Sequence, residues 1–152
     1  GFLHSFPPRR SSDLPALVGL ELDCGWCSCA GLDPVAYINK HAGRIIGIHV
    51  KENNGILGPD KPHPMHVAKE SPVIFGPDGQ ITFKPEFAKI KAVKDALNVA
   101  TGSGIVDWKA IRAAADAQGE VHYFVEREAS YDPDKDRFSC LASDARWVID
   151  NM

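Results

Sequence analysis

RIIGIHVKE, residues 44–52, decides how the rest of the chain is read. Ile45, Ile46, Ile48 and Val50 are β-branched and favour a strand. With almost nothing polar before His49, the pattern predicts a strand buried on both faces, as in a parallel sheet. Such a strand needs neighbours. Upstream, LVGLELD (17–23) is apolar with β-type alternation, and downstream VHYFVERE (121–128) repeats the pattern. Strands are therefore expected near 18–23, 45–50 and 121–126.

Helices fill the gaps. LDPVAYINKHAG (32–43) has Asp33 as N-cap, Pro34 at the first helical position and Gly43 as a stop. DWKAIRAAADAQG (107–119) has Asp107 as N-cap, with Trp108, Ile111 and Ala115 on one face. A last helix is expected from Asp132 and Pro133, with a stripe of Phe138, Leu141, Ala145 and Val148. Alternating strands and helices imply an α/β fold with parallel strands and helices outside.

Residues 53–104 interrupt the alternation. NNGILGPDKPHPMH (53–66) reads as loop, and PVIFGPDGQITF (72–83) as a hairpin turning at Gly76-Pro77-Asp78-Gly79. PEFAKIKAVKDALNVA (85–100) reads as a helix with Phe87, Ile90, Val93 and Leu97 on one side. A long segment at a strand's carboxyl end suits a binding loop or lid.

Length and composition exclude some classes. The 152 residues amount to one domain, 44% apolar and 24% charged with net charge −3, offering no broad basic surface for nucleic acid or membrane. No apolar run approaches the ~20 residues of a membrane span. GFLHSFPPRR (1–10) lacks the order of a signal peptide, so a cytoplasmic setting with free thiols is expected. His4–Leu14 matches one translated frame of a common sequencing adapter except at Pro8, so residues 1–14 read as non-native sequence or a disordered tail, and 15–152 as the domain.

Alternation along the strands places Glu21 and Asp23 on one face of the first, His49 and Lys51 on one face of the second, and Phe124, Glu126 and Glu128 on one face of the third. Asp23, His49 and Glu126 thus stand at the carboxyl ends of three strands, where α/β folds gather active sites. One Asp, one His and one Glu suit a hard or borderline divalent ion. Taken singly, Asp23 reads equally as a turn cap, His49 as a hydrogen-bonded core histidine, and Glu126 as an ion-pair partner of Lys51 or Arg127. Their equivalent positions favour a shared site.

These segments carry a resemblance. GLELDCGW (19–26) with AGLDPVAYI (30–38), GRIIGIHVKE (43–52), GSGIVDWKAI (102–111) and VHYFVERE (121–128) resemble, in order, the sugar phosphate isomerase/epimerase family with its xylose-isomerase-like TIM barrel. The resemblance implies strands six to eight of a (β/α)8 barrel, with metal ligands at Asp23, His49 and Glu126. The ion would be manganese, magnesium, cobalt or zinc. Trp26 stands where several relatives, including the zinc-dependent apurinic endonucleases, have a histidine, which argues against nuclease activity. The family's fourth ligand, a glutamate on an early strand, has no counterpart, and neither do strands one to five. A truncated gene is therefore expected.

The implied reaction abstracts a proton beside the carbonyl of a sugar or polyol, through an enediolate. Glu126 would be ligand and acid/base, Lys51 would neutralise developing charge, and Trp26, Glu21 and Ser103 would contact substrate. The alternatives are an inosose-type dehydratase on the same barrel and a non-catalytic half-barrel binding module. A full-length parent would be a candidate homo-oligomer. The backbone of TGSG (101–104) offers a weak phosphate cradle. Cys24, Cys27 and Cys29 are expected in a loop before the helix, as filler and not a thiolate site, and His63 and His66 at the surface.

Overall fold

The computed structural model describes residues 18–57 and 73–152. Three strands, β1 (Leu20–Asp23), β2 (Ile45–Val50) and β5 (His122–Val125), form a parallel sheet in the order β1-β2-β5. Between β1 and β2 lie α1 (Cys24–Cys29) and α2 (Pro34–Lys40). Between β2 and β5 lie a two-stranded hairpin, β3 (Val73–Phe75) and β4 (Ile81–Phe83), then α3 (Pro85–Leu97) and α4 (Trp108–Asp116). Helix α5 (Arg137–Asn151) follows β5. The protein is a mixed α/β fold with a small parallel sheet. No helix among the described residues is long and apolar enough to cross a membrane.

The core lies on one side of the sheet. Ile45, Ile48 and Val50 pack there with Ile38, Val106, Trp108, Ile111 and Ala115. Leu20, Leu22, Tyr123 and Val125 border them. Asp33 caps α2 by accepting from the Val35 N–H at 2.9 Å, and Asp107 caps α4 by accepting from the Ala110 N–H at 3.0 Å, which fixes where both helices start. The hairpin turns at Gly76–Gly79, where Gly79 adopts a φ of 77° that side chains disfavour.

The opposite face of the sheet is open. Ile46 is 53% exposed and Phe124 47%, so β2 is not buried on both faces as its composition suggested. Simple alternation would set Ile46 on the face of Ile48 and Val50, but Ile46 is exposed while those two are buried. Leu20 pairs with Ile45 but Glu21 pairs with Gly47, so β2 carries one extra residue against β1. This bulge reverses the phase of the strand, and Ile45 takes the core position in place of Ile46.

Three helices differ from expectation. The cysteines lie in α1 and not in a loop, because the Asp23 carboxylate accepts the Trp26 N–H at 2.7 Å and starts the helix directly after β1. They are free thiols and buried, so they are core and not filler. Helix α5 starts at Arg137 and not at Asp132, because Asp136 captures the Ser139 N–H and hydroxyl, while Asp132 accepts the Asp134 N–H in the turn before it. Its inward positions are Cys140 and Asp144, with Trp147 and Val148 against the core, and Phe138 is 70% exposed. On α3, Val93 faces solvent and Lys94 turns inward. Residues 1–14, His63 and His66 lie outside the described residues.

Candidate metal centre

Each strand delivers one side chain to a common point. Asp23 ends β1, His49 is the penultimate residue of β2, and Glu126 follows β5, with its N–H bonded to Val50 O. One ligand atom from each lies within 4.8 Å of the others. His49 Nδ1 stands 3.3 Å from Glu126 Oε2 and 3.7 Å from Asp23 Oδ2. Two atoms each about 2.1 Å from one ion lie roughly 3.0–3.4 Å apart at octahedral to tetrahedral angles, so the spacing fits a cation with small adjustments. The donor set, two carboxylates and one imidazole, suits manganese, magnesium, cobalt or zinc.

The bulge in β2 is what makes this possible. In an unshifted register from the Leu20–Ile45 pair, Asp23 would sit opposite Ile48, on the core side. The extra residue instead sets Asp23 opposite His49 and Glu21 opposite Gly47. One inserted residue decides whether aspartate and histidine share a face.

Asp23 divides its oxygens. Oδ1 accepts from the Trp26 N–H and Oδ2 faces His49, so the cap and the ligand readings describe one side chain. Burial pushes the Asp23 carboxyl above the usual range, outweighing the pull of the Trp26 N–H and the Lys51 ammonium. A cation at this point would restore the ionised form.

Of the other expected site residues, Glu21 and Lys51 join the cluster. Glu21 Oε1 lies 2.7 Å from His49 Nε2, a partner to the histidine rather than a group reaching away from it. Lys51 Nζ lies 3.5 Å from Glu126 Oε1 and 2.7 Å from Glu128 Oε1. The Trp26 ring lies beside the cluster, with the Lys51 and Lys94 ammonium groups 5.2 and 5.5 Å from its centroid. Trp26, Lys51, Lys94, Asn98 and Glu128 line a cavity of about 40 Å³, room for little more than water.

Ser103 does not join. Its hydroxyl donates to Ala100 O, and its turn packs against Trp147. Three of the four turn amides, those of Thr101, Gly102 and Ser103, are committed as well. Thr101 N–H donates to Asp144, Gly102 N–H to Glu52, and Ser103 N–H to Ala100 O, so these groups serve the protein's own acceptors and not a phosphate.

Two residues of the site were not assigned a role from sequence. Glu128 bridges Lys51 and Lys94, and Lys94 carries α3 onto the end of β5. Burial would raise the Glu128 carboxyl, but its bonds to the two lysines hold it below the usual range. Its signal was the i, i+2 step from Glu126. For Lys94 the signal was a charge at helical spacing from Ile90 and Leu97. The α1 thiols point elsewhere. Burial pushes Cys24, Cys27 and Cys29 up, with the charge of Asp23 adding to it, which keeps them protonated and poor ligands.

No family model, no curated protein and no solved structure matches this chain.

Proposed function

We propose that Asp23, His49 and Glu126 hold one divalent cation in a sugar isomerase or epimerase, on a sheet corresponding to strands six to eight of a xylose-isomerase-like (β/α)8 barrel. The observation that carries this reading is the convergence of one aspartate, one histidine and one glutamate from the carboxyl ends of three adjacent parallel strands. The segment resemblance selects the reaction class.

When bound, the cation would polarise a substrate carbonyl and its neighbouring hydroxyl. The protein's own groups do the rest. Glu126 would hold a proton taken from the carbon beside the carbonyl; its Oε1 lies 3.5 Å from Lys51 Nζ and its Oε2 3.3 Å from His49 Nδ1. Lys51, 13% exposed, supplies a fixed positive charge beside that carboxylate and any developing oxyanion. The Trp26 ring offers a flat apolar wall to a sugar ring. The sheet face stays open, and the barrel reading assigns the rest of the wall, with a second acid/base carboxylate, to strands outside these residues.

The test is exchange of the carbon-bound proton. A panel of ketoses and inososes in D2O with manganese, followed by proton NMR, should show deuterium at the carbon next to the carbonyl. Loss of water would move the assignment to a dehydratase. No exchange, in a chain that also carries the remaining strands, would leave a binding module and refute catalysis.

A further inference from the structure

We infer that Glu21 is the positioning residue of this site, holding its proton-bearing partner His49 in the tautomer that turns an Nδ1 lone pair toward Asp23 and Glu126. The inference rests on the metal reading for the last step only. A neutral imidazole carries one ring proton, and the nitrogen that keeps it cannot bind a cation. Three carboxylates surround His49 and compete for that proton. Asp23 and Glu126 face Nδ1 at 3.7 and 3.3 Å, whereas Glu21 lies 2.7 Å from Nε2. The Glu21 contact has hydrogen-bond length and the other two are long. The proton therefore belongs on Nε2, donated to Glu21, and the lone pair belongs on Nδ1.

The strand register builds this contact. The bulge pairs Glu21 with Gly47, two residues before His49 on the same face. A Cβ at position 47 would come 3.1 Å from Glu21 Cγ and 3.1 Å from Phe124 Cε2. Glycine thus leaves the slot along which Glu21 reaches His49. Phe124 packs its ring nearly perpendicular to the imidazole, with centroids 6.3 Å apart, and limits its rotation. Without Glu21, the two carboxylates on the far side would attract the ring proton to Nδ1. That tautomer offers them a donor and closes the nitrogen to a cation. A carboxylate on the far nitrogen of a ligand histidine also raises its basicity toward metal.

The experiment separates the two layers. Histidine ring nitrogens of the metal-free 152-residue chain are observed by long-range nitrogen–proton NMR at pH 8.5, and manganese affinity is measured by calorimetry. The native chain should show the Nε2–H form at His49, Glu21→Leu the Nδ1–H form, and Glu21→Gln, which keeps an acceptor oxygen, mainly Nε2–H. Manganese affinity should fall 10- to 100-fold in Glu21→Leu and less in Glu21→Gln. Gly47→Ala keeps the carboxylate but displaces it, and should reproduce the Leu pattern while retaining the native circular dichroism. An Nδ1–H native tautomer, or one unchanged in Glu21→Leu, would overturn the inference. The Nε2–H form without manganese binding would support the tautomer assignment and refute the metal reading.

Discussion

At Asp23 one oxygen starts a helix and the other faces a histidine, and the two tasks can be pulled apart. Because burial raises its pKa in the folded chain, protonation favours folding. That contribution is complete below the unfolded value of about 3.9 and is lost as pH rises through the higher folded value. At neutral pH the metal-free protein therefore carries a part-buried charge without full compensation. Asp23→Asn keeps an oxygen for the Trp26 N–H, so it should raise the melting temperature of the metal-free chain at pH 7 and abolish stabilisation by manganese. A lower melting temperature would show that the charge is not a cost. At Glu126, the near-isosteric Glu126→Gln should leave the fold intact and, if the proposed isomerase reading holds, lower turnover by at least about 10³-fold, or roughly 4 kcal/mol of barrier. Cys24→Ser should lose about 1–3 kcal/mol of stability, since its hydroxyl would be buried with Leu22 O, 4.0 Å from the thiol sulfur, too far for an O–H bond, yet leave manganese affinity unchanged. Equal loss of affinity in Asp23→Asn and Cys24→Ser would mean that the thiol serves the site as much as Asp23 does.

Between elements, the links are carboxylates with full sets of donors. Glu52, buried at the end of β2, accepts from Gly102 N–H at 2.9 Å, Val106 N–H at 3.2 Å and Trp108 Nε1–H at 2.7 Å, tying the turn before α4 to the sheet. Glu52→Gln would set an amide donor against another donor, and about 2–3 kcal/mol of stability should be lost. That loss corresponds to a fall of roughly 4–12 °C in melting temperature, and an unchanged value would mean the turn holds without it. Buried Arg127 and Asp144 tie β5 to α5 in the same way. Element existence was legible because β-branched runs, alternation and capping aspartates are local signals. What stayed hidden depends on partners. A bulge is a relation between two strands, so Ile46 could not be told from Ile45. The inward position of Lys94 is set by Glu128 across the fold, and Asp144 is buried because Arg127 meets it there. Competing caps such as Asp132 and Asp136 differ only in which N–H groups they reach. The trio Asp23, His49 and Glu126 was readable because each residue stands near its own strand's end, whereas Glu21 could be assigned to His49 only once the register was known.

At the scale of the molecule, the three-stranded sheet of the described residues leaves one face open, with Ile46 and Phe124 exposed on it and the site residues half-buried. The chain should therefore self-associate as concentration rises, through apolar side chains and unpaired strand edges. Sedimentation velocity that shows a monomer at all concentrations would indicate that this face is stable in water. The candidate metal centre can be tested on this chain directly, because its three donors, Asp23, His49 and Glu126, are all present here. Manganese is titrated into the purified 152-residue chain and followed by electron paramagnetic resonance, with Asp23→Ala, His49→Ala and Glu126→Gln beside it. One ion per chain, weakened at least tenfold by each substitution, is the expected result. No bound manganese, or binding that all three substitutions leave unchanged, would contradict the assignment of Asp23, His49 and Glu126 as a metal centre.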